Sequence, residues 1–500
     1  MMNRLTLALL ALSTATVLTT VAQAQDLPQA DSPWIKDAQA VLDARVAATP
    51  LTGRAKNVIL IVGDGNDVPT TYATRLYMGQ KAGGFGDEFV LPQEAYPNVA
   101  LVKTYLPNAQ TPDSAPTATA MLSGVKTDDG VIGLDEDANF EDCATVTGNE
   151  VTSLAEIATA AGKSVGNITT TRITHATPAA VYARTVARDW EEKVPAGCTT
   201  QKDIASQLID AMDKGIVDVA MGGGRRAFLP TNMKGEEGDD GKREDGRNLI
   251  AEAMDKGWAY AWNKESAAAL PLDGTKPILG LFESSHMQYE ADRTDEPSLA
   301  EMTEASIKAL SGNPEGFFLQ IEAGRIDHAL HGGNLARVLA DGEAMAAAVK
   351  MADDMTDDAD TLIIVTADHA HGLAFNGYCG RGSPILGLCM EIDPLGGAAK
   401  ATPNLGADGK PYTVAGFING PGAIVTEQPD GTWTATRPEV TADEAAGLDY
   451  LQQATVPLES ETHAGVDVQA YAKGPWSHLV AGVVEQNYLF NVMQYAMAPK

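Results

Sequence analysis

The sequence predicts an α/β protein with a mostly parallel central sheet and helices on both faces. Short apolar runs, many of them rich in β-branched residues, recur between about residue 57 and about residue 375. We predict a strand in each of six runs: NVILIVGDG, NVALVKTY, KSVGNITTT, DVAMGGG, FFLQIEAG and TLIIVTADH. Ala-rich stretches at 150–163 and 334–354 lie between such runs and have helical patterns. This alternation is typical of strands that run in the same direction.

Two segments interrupt the alternation. Residues 233–247 are charged and contain several glycines, so we expect a solvated loop there. Residues 376–455 are rich in Gly, Pro and Thr and predict an irregular or β-rich insertion. From Val456 the pattern returns to strand and helix. We therefore predict one large domain over residues 25–500, with the insertion inside it.

The first 24 residues have the features of a signal peptide. Arg4 precedes an apolar stretch from Leu5 to Leu18, and small residues at Ala22 and Ala24 mark a cleavage site. No later segment is long and apolar enough to span a bilayer. We therefore expect an exported protein, either periplasmic or extracellular.

Four cysteines fit an oxidising compartment. Their number is even, so two disulfides are the leading interpretation. Three connectivities are open, of which sequential pairing is the simplest: Cys143 with Cys198, and Cys379 with Cys389.

The charge balance is strongly acidic. The chain carries 67 acidic and 36 basic residues, for a net charge of −31. Such a surface repels nucleic acids and anionic membranes. An anionic substrate would therefore need local positive charge, which bound cations could supply.

Three carboxylates stand at the ends of predicted central strands. Asp64 follows VILIV, Glu322 follows FFLQI, and Asp368 follows TLIIVTA. Open α/β sheets build their sites at the edge where such strand ends meet. One acid at this point is more often a helix cap or a loop-closing acceptor. Three of them in the company of histidines indicate a functional site.

Histidines occur beside acidic residues in three short motifs. The chain has eight histidines, and five of them fall in these motifs: Asp327, His328 and His331 in EAGRIDHALHGG; Asp368, His369 and His371 in TADHAHG; and His463 in ETHAG. Asp327 and His331 are four residues apart, which places both on one face of a helix. A lone histidine is usually structural, but this grouping indicates metal binding.

The ligand types indicate which metals would suit these groups. Imidazole mixed with carboxylate suits Zn²⁺, whereas an all-oxygen set such as Asp64, Glu322 and a hydroxyl suits Mg²⁺. Ser114, in AQTPDSAPTATAMLSG, lies where a loop is predicted to become a helix, a place that favours anions. Its hydroxyl needs activation, and no G-x-S-x-G signature surrounds it. Zinc could activate it, although Ser114 viewed alone is equally well an ordinary helix cap.

These residues resemble the metal-dependent alkaline phosphatases, the animal type more than the enteric bacterial type. The similarity runs from about Asn57 to the C-terminus and is interrupted mainly at 229–247 and 376–455. Specific motifs carry it: GDG, AQTPDSAPTATAMLSGVK, THATPAAVYARTVARDW, GLFESSHMQYE, GFFLQIEAGRIDHALH, TADHAHG and ETHAG. The resemblance implies an alkaline-phosphatase-like fold.

The resemblance also implies a serine nucleophile and three metal positions. Ser114 would become a phosphoserine during turnover. The implied ligands fall in three sets: Asp327, His331 and His463 for one zinc; Asp64, Asp368 and His369 for a second zinc, which would activate Ser114; and Asp64, Thr177 and Glu322 for a magnesium.

Three residues beside these ligands have implied roles. Arg188 would grip two phosphate oxygens, as a planar guanidinium can. Asp113 would hold Arg188 and the local backbone, while the simpler alternative is that it only caps the helix. His175 takes a position near the magnesium, where the enteric enzymes have an acid.

Two further features come from the resemblance. Residues 376–455 take the place of the family's crown insertion, which often lies at a dimer interface, so we expect a homodimer. Phe282 and Glu283 resemble part of the animal-type calcium site, which adds Ca²⁺ as a candidate cofactor. Its acidic partner would come from near Asp295 and Glu296.

The main functional hypothesis is an exported phosphomonoesterase that acts on small phosphate monoesters with two zinc ions and one magnesium. A phosphodiesterase or sulfatase of the same superfamily is the nearest alternative. Ser114 together with Arg188 favours monoesters, because diesterase relatives commonly use threonine and lack such an arginine. A non-catalytic phosphate- or metal-binding protein is the third hypothesis, and it would not need an activated serine.

Overall fold

The computed structural model describes residues 28–498. The predicted signal peptide, residues 1–24, lies outside the described residues. The chain divides into two units at Thr49 and Pro50. In the first unit, helix α1 (Pro33–Ala47) begins with a proline, which suits the first helical position, and none of its side chains is buried. Among residues 28–498 no helix combines the length and the apolar character that crossing a bilayer requires.

The second unit alternates strands and helices. Its helices are α2 (Val68–Lys81), α3 (Ser114–Ser123), α4 (Leu154–Ala160), α5 (Ala176–Ala179), α6 (Ile204–Asp213), α7 (Leu249–Asp255), α8 (Lys264–Ala268), α9 (Leu299–Leu310), α10 (Arg325–His331), α11 (Leu335–Asp354), α12 (Ala442–Ala445) and α13 (Tyr488–Met497). Its strands are β1 (Asn57–Gly63), β2 (Asn98–Lys103), β3 (Ser164–Arg172), β4 (Val219–Gly223), β5 (Ala259–Ala261), β6 (Ile278–Leu281), β7 (Phe317–Ala323), β8 (Thr361–Ala367), β9 (Ala370–His371), β10 (Leu373–Phe375), β11 (Ala415–Gly420), β12 (Val425–Glu427), β13 (Trp433–Ala435), β14 (Ala454–Pro457), β15 (His463–Ala464), β16 (Val468–Lys473) and β17 (Gly482–Glu485).

A ten-stranded sheet forms the centre of this unit. Its order is β17-β2-β16-β8-β1-β7-β3-β4-β6-β5. Neighbouring strands are parallel except where β16 pairs antiparallel with β2 and β8. The mostly parallel α/β sheet is therefore confirmed, and the six predicted strands correspond to β1, β2, β3, β4, β7 and β8.

Each face of the sheet supports its own hydrophobic core. Along β1, Val58, Leu60 and Val62 join one core, which includes buried residues of α3, α4, α6 and α13. Ile59 and Ile61 point the other way, into a core with α2, α9, α10 and α11. Side chains of a strand alternate between its two faces. A strand that is buried on both faces therefore has a continuous apolar sequence. Helices therefore cover both faces, as predicted.

The segment 376–455 lies beside this sheet and is largely irregular. Strands β11 and β14 form a three-stranded sheet with β10, and β12 pairs with β13 in a separate hairpin. The disulfide between Cys379 and Cys389 closes the start of the segment. Together with the bond between Cys143 and Cys198, it confirms the sequential pairing.

The segment 233–247 corrects an expectation, because it is not solvated throughout. Arg243 is fully buried, and its guanidinium bonds both carboxylate oxygens of Asp203 at 2.8 and 3.2 Å. Asp245 supplies a second carboxylate to the same guanidinium. A buried guanidinium is costly unless it is paired, so the pair with Asp203, the N-cap residue of α6, holds the segment there.

We predict that the two disulfides contribute unequally to stability. A cross-link stabilises mainly by restricting the unfolded chain, and the first bond spans 55 residues while the second spans 10. Replacing both cysteines of the longer loop with serine should lower the free energy of unfolding by about 4 kcal/mol, against about 3 kcal/mol for the shorter loop. Denaturant unfolding of the two double variants measures this order, and a larger loss for the shorter loop would contradict it.

Candidate active site and metal centre

Three carboxylates meet at the carboxyl edge of the central strands. β1 lies between β7 and β8, and its Val62 is in register with Glu322. Asp64 and Asp368 come directly after β1 and β8. All three carboxylates are fully buried. The structure thus brings together the acids that the strand ends predict.

Ser114 joins these acids from the start of α3. The Asp113 carboxylate caps the helix by accepting from the backbone N–H of Ala115 at 3.2 Å. The Ser114 hydroxyl lies 3.0 Å from Nε2 of His369 and 3.5 Å from Oδ1 of Asp64. The predicted change from loop to helix is therefore confirmed, and the positive end of the helix dipole lies beside these groups.

Asp64, Asp368 and His369 form the first group of candidate ligands. Nε2 of His369 lies 3.4 Å from Asp64 and 3.3 Å from Asp368. Burial raises the pKa of both carboxyls, and the charges of neighbouring carboxylates raise them further. Burial also lowers the pKa of His369, which keeps the ring neutral. A neutral imidazole beside two buried carboxylates is a donor set that suits Zn²⁺.

Asp327, His331 and His463 form the second group. Helix α10 places Asp327 and His331 one turn apart, as the spacing predicts, and Oδ1 of Asp327 is 3.4 Å from Nε2 of His331. His463 reaches the same oxygen at 3.3 Å from β15. Burial would raise the pKa of Asp327, but its histidine neighbours more than offset this and hold it well below the usual range.

Asp64 also belongs to a third group. Ligand atoms of Asp64, His175 and Glu322 lie within 4.8 Å of one another. Burial raises the pKa of Glu322 to about 7, although Thr171 donates to its carboxylate at 3.1 Å. Thr177 is fully buried in α5 nearby and adds a hydroxyl. Oxygen ligands predominate here, which suits Mg²⁺.

Unsatisfied atoms test whether cations fit these groups. Buried polar side-chain atoms are normally hydrogen-bonded. Within the described residues, six such atoms without a partner belong to the first and third groups: Oδ2 of Asp64, Oδ2 of Asp368, Nδ1 of His369, Oε1 of Glu322, Oγ1 of Thr177 and Nδ1 of His175. Four of the six are carboxylate or hydroxyl oxygens, which are ligands of divalent cations. The first and third groups therefore fit divalent cations.

His371 and Glu461 form a buried ion pair outside the three groups of candidate ligands. This pair contacts Asp327 of the second group. His371 contacts Asp327 at 2.7 Å through Nε2 and Glu461 at 2.5 Å through Nδ1. Burial would lower the pKa of His371, but the two carboxylates raise it to about 10. The motif TADHAHG had singled out His371, whereas sequence reasoning missed Glu461. Its position two residues before His463 was the available signal.

Arg188 lies beside Asp113, the residue that precedes Ser114. Its guanidinium contacts Asp113 and donates to Nε2 of His175 at 2.8 Å. Its backbone N–H donates to the carbonyl of Gly130 at 2.9 Å. Burial would lower the pKa of Arg188, but Asp113 and Asp64 more than offset this, so the guanidinium keeps its charge.

A separate acidic group surrounds Glu283. Of the two acids expected beside it, Asp295 accepts from the side chain of Asn263 at 3.1 Å. Glu296 is buried, and the charges of Glu283 and Glu237 act on it. Burial, followed by those two charges, raises the pKa of Glu296 to about 8. Of the two expected acids, Glu296 is the one whose pKa the charge of Glu283 raises.

Comparison with known sequences places these features in a family. The family model described as alkaline phosphatase matches residues 55–498. An alkaline phosphatase of Gadus morhua is 42% identical over 482 residues, which cover 93% of this chain and 96% of that protein. A tissue-nonspecific alkaline phosphatase isozyme of Rattus norvegicus is 41% identical over 480 residues, with 93% and 88% covered.

Solved structures share the fold. An alkaline phosphatase from Thermus thermophilus superposes with a TM-score of 0.64 at 24% identity, covering 90% of this chain and 93% of that one. The alkaline phosphatase of the Antarctic bacterium TAB5 gives a TM-score of 0.59 at 21% identity, with 89% and 98% covered.

We predict that Glu461→Gln weakens metal retention. Groups that orient a metal ligand from behind typically contribute 10- to 100-fold in affinity. Removing the Glu461 charge should loosen His371 and, through it, Asp327, so bound metal should be lost to a chelator at about a tenfold lower chelator concentration. Metal content after titration with chelator measures this. Glu459→Gln, at an exposed site two residues away, is the control. Equal retention in both variants would contradict the prediction.

Proposed function

The chain belongs to the alkaline phosphatase family, and on that premise we propose that it hydrolyses phosphate monoesters through a phosphoserine on Ser114. The single observation that carries the proposal is the position of the Ser114 hydroxyl, 3.0 Å from His369 and 3.5 Å from Asp64. A serine nucleophile at the start of a helix lies where an anionic phosphoryl group is stabilised by free backbone N–H groups.

The reaction would proceed in two displacements. Oγ of Ser114 forms a bond to phosphorus while the ester P–O bond breaks, and the alcohol leaves with a proton. Water then attacks the phosphoserine, which releases inorganic phosphate and restores the hydroxyl. The Ser114 hydroxyl has one proton, which it can donate either to Nε2 of His369 at 3.0 Å or to Oδ1 of Asp64 at 3.5 Å.

Divalent cations would be held by the three groups of ligands. We assign two zinc ions and one magnesium as follows: zinc to Asp327, His331 and His463; zinc to Asp64, Asp368 and His369; and magnesium to Asp64, Thr177 and Glu322, with His175 beside it. Bound cations supply Lewis acidity and positive charge to the phosphoryl oxygens. Bound cations would also stabilise the ionised form of the buried carboxylates and so lower the pKa values that burial has raised. Glu283, Glu237 and Glu296 are candidates for a calcium ion.

Arg188 would grip the phosphate and so favour monoesters over diesters. A planar guanidinium can donate to two oxygens at once, and a monoester offers one more unesterified oxygen than a diester does. Asp113 contacts Arg188 and caps α3, so it would position both the guanidinium and the nucleophile. This arrangement supports the monoesterase over a diesterase or sulfatase.

Export and dimer formation complete the proposal. Two disulfides support an oxidising compartment, periplasmic or extracellular.

Within the insertion at 376–455, Ile418 and Trp433 are 57% and 55% exposed, and Val456, just after the insertion, is 47% exposed. Exposed apolar side chains in such a concentration suit an interface, so we assign a homodimer that uses this segment.

Ser114→Ala tests the proposal directly. Loss of the nucleophile should lower kcat for a chromogenic phosphate monoester by about 10³-fold or more, because the remaining groups cannot form the covalent intermediate. Ser123→Ala removes a hydroxyl from the last residue of the same helix and should retain activity. A Ser114→Ala variant that keeps wild-type turnover would refute the role of this serine, and a wild type that hydrolyses no monoester would refute the function.

A further inference from the structure

Glu322, in the third group of candidate ligands, has its two carboxylate oxygens in different surroundings. Oε2 contacts the hydroxyl of Thr169 and lies 3.1 Å from the hydroxyl of Thr171. Oε1 is buried and has no hydrogen-bond partner among the described residues. Burial alone would require partners on both oxygens, because a buried carboxylate that lacks them is costly. The asymmetry therefore indicates that Oε1 is the oxygen that meets a cation, while Oε2 is held by the chain.

The backbone brings both hydroxyls to this one oxygen. Thr169 and Thr171 lie two residues apart in β3, and Thr169 is in register with Glu322 of the neighbouring β7. The backbone N–H of Thr171 donates to Oγ1 of Thr169 at 2.8 Å, so the Thr169 proton remains available for Glu322. The single hydroxyl proton of Thr171 has three acceptors within 3.1 Å: Oε2 of Glu322, Oγ1 of Thr169 and the carbonyl of Arg172. Thr169 is therefore the principal donor to Glu322, and Thr171 supports it.

Two glycines make room for the methyl groups of these threonines. A Cβ atom at Gly222 of β4 would lie 2.7 Å from Cγ2 of Thr169. A Cβ atom at Gly324 would overlap Cγ2 of Thr171 and lie 3.0 Å from Cδ of Glu322. The methyl groups therefore pack in the space that the missing side chains leave, while the hydroxyls face the carboxylate. Because threonine has few χ1 rotamers, this orientation is well defined.

A pair of buried amides holds the hydroxyl ligand of the same group. Nε2 of Gln320 donates to the carbonyl of Thr177 at 3.2 Å, and Nδ2 of Asn167 donates to the carbonyl of Pro178 at 2.8 Å. Both amides are fully buried and are in register with each other across β3 and β7. They anchor α5, which is four residues long, to the sheet. The oxygen ligands of the third group therefore have little freedom to adjust to a larger ion.

Divalent cations differ in how they use a carboxylate. Ca²⁺ has a large and flexible oxygen shell that accepts both oxygens of one carboxylate, whereas Mg²⁺ requires near-octahedral geometry at shorter distances. A carboxylate that binds through both oxygens subtends a narrow angle at the metal, which an octahedral shell does not accommodate well.

We infer that Thr169 and Thr171 keep Oε2 of Glu322 from the cation and so make the third group selective for Mg²⁺ over Ca²⁺. The two threonines are positioning residues, because they act on the metal through Glu322. This inference rests on the proposed function, which assigns magnesium to that group, and it specifies how the group distinguishes between the two ions.

A competition between the two ions tests the inference. The zinc-loaded full chain is equilibrated with saturating Mg²⁺ and increasing Ca²⁺, free ions are removed, and bound magnesium is counted by elemental analysis. At saturating Mg²⁺, the Ca²⁺ concentration for half displacement depends only on the ratio of the two dissociation constants. A purely structural defect that weakens both ions equally would therefore not move it. Glu322→Gln removes the ligand itself and gives the blank for ions bound elsewhere.

Thr169→Val combined with Thr171→Val should shift the competition towards calcium. Valine keeps the branched shape and removes the hydroxyl, so Oε2 becomes available as a second oxygen for the larger ion. The Ca²⁺ concentration for half displacement should fall about tenfold, a usual effect of losing groups that orient a metal ligand, with zinc content unchanged.

Three further variants separate selectivity from structure. Thr169→Ser keeps the hydroxyl and should stay within about twofold of the wild type. Thr303→Val removes a buried hydroxyl that bonds only the carbonyl of Leu299 in its own helix, and it is the matched control. Thr169→Val alone should give a smaller shift in the same direction, and it provides the test if the double variant loses zinc.

Each outcome decides a different claim. An unchanged half-displacement concentration in the valine variants, with zinc and magnesium bound, would overturn the selectivity and leave the proposed function standing. An equal fall in Thr303→Val would also overturn it, because the effect would then not depend on Glu322. A wild type that binds zinc and magnesium but hydrolyses no monoester would overturn the proposed function alone. A wild type that binds no magnesium would overturn the magnesium assignment and this inference together.

Discussion

The rest of the site depends on the cost of burying several carboxylates in one place. Asp64, Glu322 and Asp368 are fully buried where three neighbouring strands end, and each has a raised pKa. Burial without a counter-charge is expensive, so such a group either takes up protons or binds cations. The cations that would relieve this cost are also those that would neutralise an incoming phosphoryl group. Bound cations would therefore serve both the stability of the fold and the chemistry of the site.

The position of these three acids follows from the sheet. For this reason the sequence alone predicts that they lie together. A parallel sheet brings the carboxyl ends of its strands to one edge, so Asp64, Glu322 and Asp368 could be placed from strand patterns alone. Asp327 and His331 could be paired from helical spacing. Glu461 could not, because its contact with His371 joins residues 90 positions apart through short strands with no pattern of their own. The burial of Arg243 was missed for the same reason, since a charged Gly-rich segment gives no sign that Asp203 holds it.

Positive charge is scarce in this chain, and its distribution bears on function. With a net charge of −31, most of the surface repels anions. Arg188 brings one guanidinium to Asp113, the residue before the nucleophile. The acidic surface together with Arg188 would favour anionic substrates at Ser114 over the rest of the surface.

Metal dependence tests the central claim most directly. The measurement is hydrolysis of a chromogenic phosphate monoester before and after chelation, with Zn²⁺ and Mg²⁺ restored singly and together. The account predicts that activity disappears on chelation, returns with zinc, and increases further when magnesium is added. Full activity in protein shown by elemental analysis to be free of metal would contradict it.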